Sequence, residues 1–253
     1  DWDSEAYNTV SGQNANNTVR ISNDFMEAVQ KNRQWTLRRR TDGGAARTLP
    51  AEELWEQMAM AAWQSADPGV QFDTTINEWH TCPNSGRIRA SNPCSEYMFL
   101  DDTACNLASL NLLAFLDAKG HFDIAAYQHA VRLWTIVLEI SVLMAQFPSK
   151  EIARRSFQYR TLGLGYANLG GLLMASGIPY DSVQGRALAG ALTAIMTGTS
   201  YHISAEMAGE MGAFPGFAAN EDDMQRVVRN HHRAAHGLAD GYEKLSILPV
   251  PLD

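Results

Sequence analysis

Between Asn92 and Cys105 the chain sets a carboxamide, a thiol and a carboxylate at alternate positions (Asn92, Cys94, Glu96), then adds a second thiol at Cys105. If the segment is extended, side chains at i, i+2 and i+4 share one face, so Asn92, Cys94 and Glu96 are expected to point together. A free cysteine is most often a small buried hydrophobe. Here the carboxylate two residues from Cys94 would be costly to bury unpaired, and Asn92 adds polarity to the same face. A thiol beside a base and a hydrogen-bonding amide, with another thiol nearby, points to redox or radical chemistry rather than packing.

A competing chemistry uses the same atoms. His80 and Cys82, with Cys94 and Cys105, supply one histidine and three cysteines, the ligand count of a structural zinc site. That would make the chain a zinc-stabilised interaction module. Structural zinc favours paired ligands a few residues apart, and only His80 and Cys82 approach that spacing. No metal ligand set is therefore expected, and Cys82 is assigned to packing.

The elements that must hold these residues alternate between strand and helix. Thr18–Ile21 reads as a short strand after Asn14, Asn16 and Asn17, and Ser22, Asn23 and Asp24 offer N-caps for a helix carrying Phe25, Met26, Ala28 and Val29. Residues 32–48, with Arg38, Arg39 and Arg40 beside Asp42-Gly43-Gly44, read as a solvated loop. A helix resumes after Thr48 and Pro50 and is stopped at Asp67-Pro68-Gly69. Val70–Ile76 reads as a strand, as does the run from Leu107 to Phe115, whose Leu107, Leu110, Leu112 and Leu113 are expected to be buried. Asp123 caps a helix running to Phe147 that is apolar around nearly its whole circumference, the pattern of a helix buried in a larger assembly. Leu162–Tyr166 reads as a strand whose glycines serve close packing, since the Gly-x-Gly-x-x-Gly spacing of a dinucleotide loop is absent. Asp181 with Gln184 forms a capping-box pattern before a long helix ending near Gly212. Asn220 caps the last helix, which carries His231 and His232 and leads to His236 as packed or exposed residues.

The wording of the central stretch carries a resemblance. Asn92-Pro93-Cys94-Ser95-Glu96, continuing through Tyr97-Met98-Phe99-Leu100-Asp101-Asp102-Thr103-Ala104-Cys105-Asn106-Leu107, resembles the finger loop of ribonucleotide reductase catalytic subunits. Ser11–Asn17, Asp67–Phe72, His80–Asn84 and Arg160–Gly165 agree with it in order, so the resemblance covers most of the chain. The short gap between Cys94 and Cys105 is most similar to the adenosylcobalamin-dependent class. The runner-up within the family is the class that takes its radical from a separate metal-containing subunit.

The resemblance implies a helix-rich α/β fold, part of a ten-stranded α/β barrel, with 1–253 a single partial catalytic-barrel domain of a longer ribonucleoside-diphosphate reductase. It implies reduction of ribonucleotides to 2′-deoxyribonucleotides by thiyl-radical chemistry. Cys94 would abstract the 3′-hydrogen, Glu96 would act as general base, Asn92 would hold the sugar, and Cys105 would be half of the redox dithiol. Asn16, Asn17 and Leu107 would line the substrate. Adenosylcobalamin is the implied cofactor. A ribonucleotide and a thioredoxin-like or dithiol reductant are the implied partners, with a homodimer as assembly. The second redox cysteine and the phosphate loop are expected outside these 253 residues, which would leave the piece inactive alone.

Composition agrees and excludes other classes. Twenty Lys and Arg against 28 Asp and Glu leave a net charge of -8, which argues against a general nucleic-acid binder needing a basic face. Three cysteines make no disulfide framework, so a reducing cytoplasm is expected. No apolar run is long enough to span a membrane.

Overall fold

The computed structural model describes Glu5 and residues 15–250; Ser11–Asn14, part of the expected motif, lie outside the described residues. Two compact units appear, one of 15–79 with 244–247 and one of 80–243 with 248–250.

In the first unit β1 (Thr18–Ile21) leads into α1 (Asn23–Gln30). Ser22 is its cap: the Oγ accepts the Phe25 N–H at 3.3 Å, satisfying a donor the helix leaves orphaned. Phe25 and Ala28 turn inward with Ile21 and Ala51, and Phe25 meets Trp35 edge to face at 5.2 Å between centroids. The stretch expected as an arginine-rich loop is instead a hairpin, β2 (Gln34–Arg38) antiparallel to β3 (Ala45–Pro50). The cause is cross-strand: Trp35 faces Leu49 over the core, and the Thr36 and Thr48 hydroxyls pair at 2.9 Å. Gly43, at φ +72, makes the turn, and the Asp42 carboxylate accepts from Arg39 and from the Gly44 N–H. The next helix, α2 (Ala51–Ser65), carries Glu52 and Glu53 in its first turn and ends at the left-handed Ala66. β4 (Gly69–Phe72) then pairs in parallel with β1, Thr18 opposite Gly69 and Ile21 opposite Phe72. The strand expected to reach Ile76 stops at Phe72 and becomes α3 (Asp73–Glu78). Arg20 explains the break, since its guanidinium donates to Gln71 on the strand at 2.9 Å and to Asp73 on the helix at 2.9 Å.

In the second unit His80 organises the entry. Its Nδ1 accepts the Cys82 N–H at 3.2 Å and its Nε2 faces the Gly86 carbonyl at 3.1 Å, which assigns the neutral Nε2–H tautomer. The Phe99 ring stands edge to face with His80 at 5.6 Å and with Tyr159 at 5.4 Å, over a core of Cys82, Leu100 and Tyr159. β5 (Ala90–Ser91) and β6 (Met98–Phe99) form a small antiparallel pair. β7 (Asn106–Asn111) follows, and the strand expected to continue to Phe115 ends at Asn111, whose Oδ1 accepts the Leu113 N–H at 3.2 Å and starts a 3-10 turn.

Asp123 caps α4 (Ile124–Met144) as expected, accepting the Ala126 N–H at 2.9 Å. One stripe of this helix, Tyr127, Val131, Thr135, Leu138 and Val142, is buried, while Trp134, Val137 and Ile140 on other faces are exposed. α5 (Lys150–Tyr159), capped by Ser149 Oγ on the Ile152 N–H at 3.2 Å, escaped the sequence reading because its composition is mostly polar. β8 (Leu162–Ala167) runs parallel to β7 from Asn106 opposite Leu162 to Asn111 opposite Ala167. α6 (Leu169–Ala175) and the long α7 (Val183–Met211) complete the core of Leu110, Leu112, Tyr127, Val131, Leu172, Leu192 and Met196. The cap of α7 is Ser182, whose Oγ takes the Gly185 N–H at 3.0 Å; the expected Asp181 pairs with Arg186 instead. Asn220 does precede α8 (Glu221–Ala235), but its side chain does not cap it. Buried at 1 % exposure, it accepts the Asn84 N–H at 3.0 Å and donates to Ser85 Oγ and the Gly216 carbonyl.

The chain is thus a helix-rich α/β structure. Among the described residues the strands form four two-stranded sheets and not a closed barrel. Closure requires each strand to have a neighbour on both sides, and each strand here has one. No described helix is long and apolar enough to cross a membrane.

Two outcomes follow for stability. Leu172, 2 % exposed in the second core, is expected to cost about 2–5 kcal/mol on truncation to Ala. Met174→Ala, on the exposed side of the same helix, should stay within about 0.5 kcal/mol in the same urea titration. Burial holds the His80 imidazole below its ordinary range. A group whose folded-state pKa is depressed contributes stability above its unfolded value, about 6.5, and loses it as pH falls from there through the folded value. His80→Gln, which keeps a donor for the Gly86 carbonyl, is therefore expected to show a shallower loss of stability below about pH 6.5. Equal pH slopes for the two proteins would exclude this role.

Candidate active site on the Cys94 hairpin

Residues 92–97 are the loop of the β5–β6 hairpin, so the extended segment expected from the alternation of Asn92, Cys94 and Glu96 is replaced by a turn. The reason is local. Pro93 has a fixed φ suited to the second position of a turn. The Ser95 N–H donates back to the Asn92 carbonyl at 3.1 Å, and Ser95 itself sits at φ +65. Ser91 Oγ donates to the same carbonyl at 2.8 Å. The Asn92 carboxamide faces into the loop, its Oδ1 accepting the Tyr97 N–H at 3.0 Å. Asn92 is half-buried, while Cys94 and Glu96 are exposed. The three expected residues remain on one short loop, grouped by turn geometry instead of by a pleat.

Downstream, Phe99 and Leu100 anchor the hairpin in the His80, Cys82 and Tyr159 core. The chain then turns through Asp102, at φ +57, to bring Cys105 to the head of β7. Cys105 is half-buried, with Sγ 3.5 Å from the Asn106 carbonyl oxygen. Burial pushes its thiol above the usual range, and the negative charge of Glu96 pushes in the same direction. The Ala104 N–H donates to Ser156 Oγ at 3.2 Å, and the Ala104 carbonyl accepts from the Thr161 hydroxyl at 2.8 Å, so the residue before Cys105 is fixed at both ends.

Gly163 makes the seat for that thiol. A Cβ at this position would lie 2.6 Å from Cys105 Sγ and 3.0 Å from the Asn106 carbonyl oxygen, closer than atoms tolerate. The expectation that the glycines of this strand serve close packing holds here for a specific reason. Leu107, expected to be buried, is 65 % exposed, whereas Leu110 is 5 % exposed. Side chains on a strand alternate, and β7 turns Leu107 and Ser109 away from the face that packs on α4. That places Leu107 beside Cys105, on the open face.

The remaining expected residues lie elsewhere. Asn16 and Asn17, in the first unit, are exposed, and Asn17 Nδ2 donates to Asp67 Oδ2 at 3.3 Å. The zinc reading loses its ligands: both ring nitrogens of His80 are engaged by backbone, and Cys82, at 2 % exposure, packs in the core. Among the described residues no group of three or more His, Cys, Asp or Glu could hold a metal ion. The sequence reading did not single out Tyr97, Thr103, Ser156 or Thr161. Only Tyr97, an aromatic directly after the Glu96 carboxylate, carried a signal that could have been noticed.

Comparison with known proteins identifies the family. The chain matches the family described as "Ribonucleotide reductase, barrel domain" over residues 3–244, across both units. It is 69 % identical to a vitamin B12-dependent ribonucleotide reductase of Agrobacterium fabrum, over all of this chain and 20 % of that protein. It is 64 % identical to a protein of the same name from Bradyrhizobium diazoefficiens, again over all of this chain and 20 % of the relative. A third, from Rhodopirellula baltica, is 50 % identical over 94 % of this chain and 23 % of the relative. The chain thus spans about a fifth of the length of the curated relatives it matches most fully. With a match covering nearly every residue of the chain, this protein belongs to the ribonucleotide reductase barrel-domain family.

Proposed function

We propose that this chain is the catalytic heart of an adenosylcobalamin-dependent ribonucleotide reductase, acting on ribonucleoside diphosphates. The observation that carries the reading is the grouping on one hairpin loop of an exposed thiol, Cys94, with Asn92 and Glu96, followed by a half-buried second thiol, Cys105, at the head of β7. The printed names of the relatives favour vitamin B12 over a separate metal-containing radical subunit.

What the described residues offer to adenosylcobalamin is one reactive atom, Cys94 Sγ, exposed at the hairpin tip and so reachable by a cofactor that delivers a radical to a thiol. When bound, the cofactor supplies the radical through cleavage of its carbon–cobalt bond. The remaining work falls to the protein. Cys94, having lost its hydrogen atom, takes the 3′-hydrogen of the ribose; an S–H bond is weak enough for the transfer to run both ways. Glu96 accepts the 3′-hydroxyl proton as general base, and the 2′-hydroxyl leaves as water. Cys105 and a second thiol give two electrons and two protons, one proton for the departing water and one for C2′, and close to a disulfide; Glu96 then returns its proton to the 3′-oxygen and Cys94 returns the 3′-hydrogen. Asn92 holds the sugar from the hairpin loop, and Asn16, Asn17 and Leu107, exposed in their respective units, are the further substrate-lining residues that the family resemblance implies. Of the other thiols in this chain, Cys94 is the initiator and Cys82 is buried in the core, which supports a partner for Cys105 outside these residues. A thioredoxin-like dithiol would reopen the disulfide in a reducing cytoplasm. The wider sheet implied by the family is a ten-stranded barrel built with segments of the longer enzyme, and the 253-residue piece is inactive by itself.

In the full-length reductase carrying this segment, Cys94→Ser is expected to abolish release of tritium from 3′-tritiated substrate, because an O–H bond is too strong to yield the radical. Cys105→Ser should retain tritium release but stall reduction and liberate free base. Cys82→Ser should turn over as the parent does. Abstraction that survives in the Cys94 variant, or unimpaired turnover with an external dithiol in the Cys105 variant, would overturn the assignment.

A further inference from the structure

Tyr97 occupies a position that none of the steps above uses. Its backbone N–H holds the Asn92 carboxamide at 3.0 Å, at the opening of the loop. Its side chain leaves the loop in the other direction. The phenol oxygen lies 2.7 Å from Thr103 Oγ1, to which it donates, and 3.0 Å from Thr161 Oγ1 at the head of β8. Thr103 gives its own proton to the Leu100 carbonyl at 2.6 Å, and Thr161 gives its proton to the Ala104 carbonyl at 2.8 Å. Three hydroxyl protons thus serve four contacts, and the phenol proton is shared between the two threonine oxygens. The ring is tilted against Phe99 at 6.2 Å, next to the core that anchors the hairpin. Through one residue the loop bearing Asn92, Cys94 and Glu96 is tied to the strand end that seats Cys105.

We infer that Tyr97 is a positioning residue: the hydroxyl relay Thr103–Tyr97–Thr161 clamps the Cys94 loop to the Cys105 seat and keeps the Cys105 thiol half-covered against Gly163. The geometry allows no substitute. Phe99 holds the hairpin only through apolar contact, which is non-directional, whereas the phenol reaches two fixed acceptors on separate segments. Thr161 couples the clamp directly to Ala104, the residue before the thiol. The clamp itself does not depend on the proposed reaction; its consequence for turnover rests on that reading.

The test uses this 253-residue chain with Cys94→Ser, so that Cys105 is the accessible thiol and Cys82 reports only unfolded molecules. Alkylation of Cys105 by iodoacetamide is expected to quicken about fivefold in Tyr97→Phe, the factor that one net hydrogen bond is worth. Thr161→Val should match it, and Thr161→Ser, which restores a hydroxyl, should return the rate toward that of the parent. Cys82 should stay unreactive throughout, showing that the effect is local. A Tyr97→Phe rate equal to the parent's, or a Thr161→Ser rate equal to that of Thr161→Val, would overturn the clamp. In the full-length reductase, Tyr97→Phe should lower kcat about fivefold or more with KM little changed. A normal kcat there would overturn the positioning role. A parent enzyme without any reductase activity would instead overturn the functional reading, leaving the alkylation result to judge the clamp.

Discussion

The parallel pairing of β7 with β8 is the constraint on which the site depends. Its register sets Asn106 against Leu162 and Leu107 against Gly163, so Cys105 arrives where the neighbouring strand has no side chain. The same register brings Thr161 under the Ala104 carbonyl and within reach of the Tyr97 phenol. A one-residue slip would turn every side chain of β7 to the other face. Leu110 would leave the core, Leu107 would enter it, and the thiol would meet a side chain instead of a gap. Burial of Leu110 with Leu112, Tyr127 and Val131 is what makes that slip costly.

Three cysteines in one chain acquire three characters from their surroundings alone. Cys82 lies among Leu100, Tyr159 and Phe99, where burial raises its pKa and keeps it a thiol. Cys94 stands in solvent at the tip of a tight turn, free to meet a reagent. Cys105 is intermediate, partly covered and close to a carboxylate, so that both desolvation and charge oppose its ionisation. A thiol held in its protonated form suits hydrogen and electron transfer better than nucleophilic attack, which needs the thiolate. Chemical identity is the same at all three positions, and packing sets their different exposures.

Ion pairs play a supporting part. Most, such as Lys31–Glu27 and Arg154–Glu151, lie in solvent, where such pairs contribute little. Three are better covered: Arg226 pairs with Asp223 inside α8, Arg20 joins β4 to α3 through Gln71 and Asp73, and Arg160 joins the start of β8 to Glu139 on α4. The last two each sit where a strand meets a helix, fixing a junction that neither element specifies alone. The Arg160 pair matters more for the site, because Arg160 directly precedes Thr161 and adopts the left-handed conformation that ends α5.

The sequence by itself determined the family, the helix-rich α/β class and the caps at Ser22 and Asp123. These rest on local chemistry: a serine or aspartate beside a free N–H, a glycine where the chain must turn, a run of side chains whose order carries the resemblance. Other features needed partners distant in the chain. The Gln34–Pro50 hairpin, the break at Phe72, the diversion of Asn220 from capping and the exposure of Leu107 each follow from a contact that no local window contains. So does the seat of Cys105, since Gly163 lies 58 residues further along and earns its meaning only when β8 docks beside β7. Periodicity and capping are short-range physics and can be read from the chain, whereas register and close approach are set only when separate segments compete for the same space.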